Sequence, residues 1–208
     1  MTFTGFGPDA VSFFDDLARD NTRAFFDSHR EIYTRAIRQP MEDLLGDAEA
    51  KYGAGRMMRP NRDVRFSPNK LPYRTEASMW AGTVGGVYLS LNASRIEAGG
   101  GLYEPTRDQL ARARAAIDEQ PLSAAELREI LATATARGFE IAGPSLKTAP
   151  RGYDKNHPSI ELLRLKHFAV LRRLPTKATR ADIQQVWADV EPLIAWTEKY
   201  IGVAVSQP

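Results

Sequence analysis

An α+β fold is what the sequence predicts: helices at both ends of a single domain, with an antiparallel sheet of about four strands between them. Three observations predict it. Apolar residues recur in steps of three and four from Phe25 to Ala48 and again from Ile183 to Ile201, which marks helix faces. Between these stretches, Val87-Tyr88-Leu89-Ser90-Leu91-Asn92 alternates as a half-buried strand does. The strand-like runs follow one another with short connections, which suits antiparallel pairing. A chain of 208 residues is long enough to close one full core, so one domain, 1–208, is expected.

The elements follow in chain order. Asp9, after Pro8, is placed to cap a short helix through Leu17. The next helix turns Phe25/Phe26, Ile32/Tyr33, Ala36/Ile37, Met41, Leu44/Leu45 and Ala48 inward. Pro40 falls inside this run, lacks a donor and clashes one turn back, so a kink or a restart is expected there. Arg56–Phe66, Ala77–Val84 and Val87–Asn92 read as strands, Arg95–Ala98 as a further short one, and Gly85-Gly86 as a hairpin signal. Pro105 suits the first turn of a helix that buries Leu110, Ala113 and Ile117. Ser123 with Glu126 reads as a capping box, and Leu122 with Leu127 as its hydrophobic staple. Phe139–Ile141 reads as a short extended piece, Gly143–Asn156 as a loop and Pro158–Leu174 as a helix. Thr179 with Asp182 caps the last helix, which runs to Tyr200/Ile201 as one piece.

Composition narrows the chemistry. There is no cysteine, which excludes disulfides, thiolate catalysis, zinc–thiolate sites and iron–sulfur clusters. The three histidines, His29, His157 and His167, have no second ligand at a recognised spacing, so no metal site is expected. Walker, dinucleotide and nucleophile-elbow motifs are absent, and no cofactor is indicated. Met1–Asp20 has no basic start with an apolar core, and no apolar run is long enough to span a bilayer. A cytoplasmic protein without membrane contact is therefore expected.

Charge is unevenly placed. The window Arg56–Arg74 carries +5 and Lys147–Lys177 carries +6, in a chain whose total is +2, so the rest holds −9. In the first window, Arg62, Asp63, Arg65, Lys70, Tyr73 and Arg74 read as one wall of an anion pocket, Asp63 holding the Arg65 guanidinium by an ion pair. Arginine offers a planar fork that fits phosphate or carboxylate, and lysine adds a point charge. Ser67-Pro68-Asn69-Lys70 reads as a turn, with Val64 and Phe66 directed to a core. The second wall is Lys147, Arg151, His157 and Arg164, with Tyr153 in the same loop. Arg151-Gly152-Tyr153 sets a guanidinium and a phenol about a sharp turn, and His157 titrates in the range where an imidazole can move a proton. Gly99-Gly100-Gly101 before Tyr103-Glu104-Pro105 has two readings. One is an anion nest at a helix start; the favoured one is a close backbone crossing at a strand end, with Glu104 as a cap.

Four groups of residues give the chain a resemblance. They are Gly5-Phe6 with Phe14, Leu17, Asn21, Arg23, Phe26, His29 and Tyr33; Arg62-Asp63-Val64-Arg65-Phe66-Ser67 with Lys70, Pro72 and Tyr73; Gly99-Gly100-Gly101 with Tyr103 and Pro105; and Leu146-Lys147 with Pro150-Arg151-Gly152-Tyr153, His157-Pro158, Leu162-Leu163-Arg164 and Lys166. Together they resemble the family named domain of unknown function 2461 over nearly the whole chain. The resemblance implies that these groups form one constellation, and it brings no reaction or cofactor with it.

Three functions fit these residues. The first is a site for a small anion (a nucleotide, phosphoester or carboxylate) between two converging basic walls, with His157 or Asp63 moving protons if it is catalytic. The second is a protein–protein interaction module whose cations pair with acids of a partner or of its own helices. The third is nucleic-acid binding by a basic face, with Tyr73 or Tyr153 stacking on bases, against which the near-neutral total weighs.

Overall fold

Pro8–Arg19 (α1), Arg23–Ser28 (α2), Arg30–Tyr33 (α3) and Gln39–Tyr52 (α4) lead into three strands, Gly55–Met57 (β1), Glu76–Gly82 (β2) and Gly86–Asn92 (β3). Then follow Ile96–Leu102 (β4), Arg107–Glu119 (α5), Pro121–Ala136 (α6), Glu140–Ile141 (β5), Ile160–Leu163 (α7), Phe168–Leu174 (β6), Arg180–Asp189 (α8) and Glu191–Tyr200 (α9). This is a computed structural model, and it describes residues 3, 5–63, 65 and 70–205. The strands form one antiparallel sheet in the order β1-β2-β3-β4-β6-β5, so the α+β class stands, with six strands where about four were expected. The chain divides into two compact units. Unit 1 is Met1–Gly82, Tyr88–Ala98 and Arg173–Gln185; unit 2 is Thr83–Val87, Gly99–Arg172 and Val186–Pro208.

Unit 1 is built on an aromatic cluster. Ala10, Phe13, Phe14 and Leu17 share the buried face of α1, one helical turn apart. Phe13 meets Phe14, Phe26 and Tyr33 at ring distances of 5.5–5.8 Å, in edge-on or tilted poses that suit aromatic quadrupoles. A π-helical turn, Thr34–Arg38, precedes Pro40 in the first turn of α4. Proline has no N–H to give one turn back, and the widened turn accommodates that loss. The expected interruption at Pro40 is thus present as a π-turn. Met41, Leu44 and Ala48 of α4 are buried, as are Met79 and Ala81 of β2. Burial of each such large side chain contributes about 1.5–3 kcal/mol.

The expected strand Arg56–Phe66 is cut short. β1 ends at Met57, and Pro60, which cannot donate to a ladder, stands three residues on. The inward Val64 and Phe66 and the turn at Ser67-Pro68-Asn69 lie outside the described residues.

From Glu104 onward, four expectations are corrected. Phe168–Leu174 is a strand, and the helix before it is only Ile160–Leu163. Phe168, Ala169 and Val170 are all buried, so the first part of β6 is apolar without alternation, and such a run resembles a buried helix segment. The capping box belongs to α5: Thr106 Oγ1 accepts from Gln109 N, and Gln109 Oε1 accepts from Thr106 N. Pro121 starts α6 earlier than a cap at Ser123 would allow. Ser123 is therefore buried inside the helix, and Leu122 is 72% exposed rather than stapled. Glu104 is exposed and does not cap. The last helix is two, because Pro192 opens α9 after a break at Val190. Near its start, Thr179 and Asp182 do cap α8 reciprocally.

The Gly99-Gly100-Gly101 run lies within β4, where the backbone of β6 passes too close for a side chain. A Cβ on Gly99 would fall on the Val170 carbonyl oxygen, and one on Gly101 (φ +119°) on that of Phe168. Close crossing, the favoured reading of this run, is what the structure contains.

Two measurements test this account. Burial pushes the Tyr33 phenol up to about 12. Below about pH 10 it is neutral folded or unfolded; above that the unfolded chain ionises first, so folding weakens by roughly 2–3 kcal/mol up to about pH 12. Urea denaturation across this range should show Tyr33→Phe lacking that part of the alkaline slope; identical slopes would refute it. Gly99→Ala should cost more than about 4 kcal/mol or abolish folding, since backbone atoms cannot yield. Gly46→Ala, in α4 with nothing near its Cβ, should stabilise by about 0.5–1 kcal/mol in the same assay.

Candidate functional site: two basic segments

The first basic segment is a loop pinned at its mouth. Asn61 and Tyr73 form an antiparallel bridge, with Arg62 N donating to Pro72 O and Arg74 N to Pro60 O, both at 2.8 Å. Asn21, buried before α2, completes the pairing. Its Nδ2 donates to Tyr73 O at 3.1 Å, and its Oδ1 accepts from Tyr73 N at 2.9 Å. A side-chain amide thus acts as a strand neighbour. The Tyr73 ring is buried and stacks on Phe26 at 4.2 Å with 2° between planes. Tyr73 therefore positions the loop and gives no stacking platform to a base.

In the bridge, Arg62 and Arg74 fall on the face opposite Asn61 and Tyr73. Both are half-buried, and the Nε of each is buried without a hydrogen-bond partner. Neither guanidinium meets an acid among the described residues. Asp63 grips Arg65 instead: Arg65 Nε donates to Oδ1 at 3.0 Å, Nη2 to Oδ2 at 2.7 Å, and the Arg65 backbone N to Oδ1 at 3.2 Å. These bonds hold the Asp63 carboxyl below the usual carboxylate range and raise the Arg65 guanidinium. Asp63 stays ionised near neutral pH, so it has no proton to give there. The pair is exposed, as is Lys70.

The second segment is in unit 2. Pro150-Arg151-Gly152-Tyr153 is a turn closed by Tyr153 N to Pro150 O at 3.2 Å, with Gly152 at φ +92° where a type II turn needs it. Arg151 is exposed and Tyr153 half-buried. Both His157 nitrogens are engaged. Nδ1 accepts from Ser159 N at 3.0 Å, which leaves the proton on Nε2, 3.1 Å from Asp118 Oδ1 on α5. His157 therefore ties the loop to α5 and has no nitrogen free for proton transfer. One turn earlier, Arg114 Nε donates to Leu163 O at 3.2 Å. Arg164 follows, half-buried, its Nε buried without a partner, while its carbonyl accepts from Leu146 N at 2.8 Å. That bond carries the exposed Lys147 beside Arg164. Burial, then Asp118, raises the Tyr153 phenol, Arg114 opposes this, and Glu119 adds a smaller rise; burial lowers the Arg114 guanidinium.

The ten residues proposed from sequence thus divide, with Arg74 in unit 1. Arg62, Asp63, Arg65, Lys70 and Tyr73 belong to unit 1, and Lys147, Arg151, His157 and Arg164 to unit 2. Sequence reasoning did not include Arg114 and Asp118; their i, i+4 spacing on a helix reads as an ordinary surface pair. Among the described residues no group of three His, Asp or Glu side chains gathers as a metal site. None of the described helices is long and apolar enough to cross a membrane.

Residues 9–196 match the family described as conserved hypothetical protein (DUF2461). The chain belongs to this family. No curated protein matches it. The DUF2461 residue groups acquire physical roles here. Asn21 and Phe26 hold Tyr73, Tyr33 completes the aromatic core beneath, and the glycine run lets β6 approach. Arg23 is an exposed partner of Asp27, and His29 stacks on Phe25 at 4.1 Å while its Nδ1 bonds Phe25 O. Tyr103 stacks on His167, whose Nδ1 bonds Tyr103 O.

Asn21→Ala should destabilise the protein by about 1–3 kcal/mol, because two buried backbone groups of Tyr73 lose their partners. Chemical denaturation measures the loss, and hydrogen exchange at the Tyr73 amide should rise with it; an unchanged amide would sink the clamp.

Proposed function

We propose that this DUF2461 protein binds a small oxyanion, a phosphoester or carboxylate, at the mouth of the Arg62–Arg74 loop. One observation carries the reading: Arg62 and Arg74 lie on one face of the bridge with buried Nε groups that no acceptor satisfies. An unsatisfied buried N–H costs about 1–3 kcal/mol. Arg112, Arg172 and Arg180 also carry a buried Nε without a partner, but their Nη groups pair with Asp108, Asp189 and Asp47, whereas Arg62 and Arg74 meet no acid among the described residues. A bound oxyanion recovers the cost at Arg62 and Arg74 through forked, charge-assisted hydrogen bonds. Arg65, oriented by Asp63, and Lys70 add charge at the rim.

The exposed cations Lys147 and Arg151, with Arg164, give unit 2 the same chemistry. The reading is recognition: Asp63 is held ionised with both carboxylate oxygens engaged by Arg65, and His157 is engaged at both nitrogens. A cytoplasmic setting belongs to it, since charged metabolites of this class do not cross membranes unaided.

Thermal unfolding with nucleotides, phosphosugars and dicarboxylates tests the proposal. A ligand at about a hundredfold its Kd should stabilise the wild type by about 2.7 kcal/mol. Arg62→Ala and Arg74→Ala should each weaken its binding about tenfold or more, with Lys70→Ala a smaller loss. Equal stabilisation of wild type and both arginine variants would refute it.

A further inference from the structure

We propose that unit 2 holds an oxyanion site of its own, built on Arg114, Tyr153 and Arg164, with His157 as the residue that positions it. It uses the anion chemistry just described but none of the loop-mouth residues, and it stands or falls separately.

The decisive feature is an ion pair that does not form. Arg114 and Asp118 are four residues apart on α5, and such residues ordinarily meet as a helix-surface pair. Here Asp118 accepts from His157 Nε2 at 3.1 Å, while Arg114 Nε goes to the Leu163 carbonyl at 3.2 Å. No acid pairs with Arg114 among the described residues. The Ser159 amide on His157 Nδ1 fixes the tautomer that engages Asp118, so the imidazole takes up the carboxylate that would otherwise neutralise Arg114.

Three further facts bring donors to the same place. The carbonyl that Arg114 grips belongs to Leu163, the residue before Arg164, whose own Nε is buried without a partner. Leu146 N bonds the Arg164 carbonyl, which sets Lys147 alongside. Tyr153 stands on the loop that His157 ties to α5, four residues before that histidine, and its hydroxyl has no hydrogen-bond partner among the described residues. Two guanidiniums without a carboxylate and a phenol O–H are a donor set for an oxyanion such as a phosphate monoester or a carboxylate.

Calorimetric titration of the full chain with inorganic phosphate and with acetate tests this. Wild type should bind at least one of them. Arg114→Gln and Arg164→Gln should each weaken that binding about tenfold or more, and Tyr153→Phe about threefold to tenfold. A double variant, Arg62→Gln with Arg74→Gln, should leave this component in place. Preference for phosphate assigns a phosphoester ligand, and preference for acetate a carboxylate. If Arg114→Gln does not fold, Tyr153→Phe and Arg164→Gln decide the matter, since neither removes a hydrogen bond made by the side chain. Absence of binding by either anion, or binding untouched by Tyr153→Phe and Arg164→Gln, overturns the proposal. Binding lost only in the Arg62/Arg74 double variant overturns it too, and leaves the loop-mouth site standing. Loss confined to the unit 2 variants does the reverse.

Discussion

The two hydrogen bonds between the Asn21 side chain and the Tyr73 backbone hold the first basic segment together. An amide side chain carries a donor and an acceptor at the spacing of a peptide group, so asparagine can stand in for one residue of a strand. That matters here because the bridge at the loop mouth is a single pair, Asn61 with Tyr73, too short to hold a loop of charged residues alone. Asn21 adds a second partner to Tyr73, and Phe26 locks its ring by parallel stacking. Both supports come from the first 26 residues and are fixed by the packing of Phe13, Phe14 and Tyr33. The aromatic core of unit 1 thereby sets where Arg62 and Arg74 emerge.

Arginine pairing separates scaffold from candidate site. Arg180 reaches both oxygens of Asp47 at 2.6 and 2.8 Å, with Gln184 on the same carboxylate, and Asp189 receives both Arg137 and Arg172. Such partly buried, multiply bonded pairs compensate their desolvation within the fold. Pairs like Arg19 with Asp16 or Arg38 with Glu42 are exposed and contribute little. Arg62, Arg74 and Arg164 fit neither group: each is half-buried, with a buried Nε and no acid. Their cost within the fold is unmet, and the simplest physical account is a partner from outside it.

Legibility in the sequence followed the range of the interaction. The Pro40 interruption, the strand Val87–Asn92 and the Thr179–Asp182 cap are local, and local chemistry announces them. Ser123-x-x-Glu126 matches the capping pattern equally well, yet Pro121 begins the helix before it, so a second local signal outranked the first. β6 was hidden because its first three residues are buried on both faces and show no alternation, and its neighbours β4 and β5 are distant in sequence. The candidate residues of the loops stood out as charge against apolar surroundings. Arg114 did not, because its significance lies in the missing salt bridge to Asp118, and that depends on His157, thirty-nine residues further on.

The same contacts bear on what chemistry each basic segment could serve. Proton transfer needs a group that can change its ionisation at the site near the working pH. Asp63 is held in its charged form by Arg65, through both the side chain and the backbone amide. His157 would have to give up either the Ser159 amide or Asp118 to move a proton, and each of those contacts fixes the loop that carries Tyr153. The phenol of Tyr153 is raised by burial and by two carboxylates, which keeps its proton in place as a hydrogen-bond donor. Asp63 is thus held charged and Tyr153 protonated, while His157 is held by its two contacts, which accords with the proposed recognition of an anion by charge and geometry in each unit.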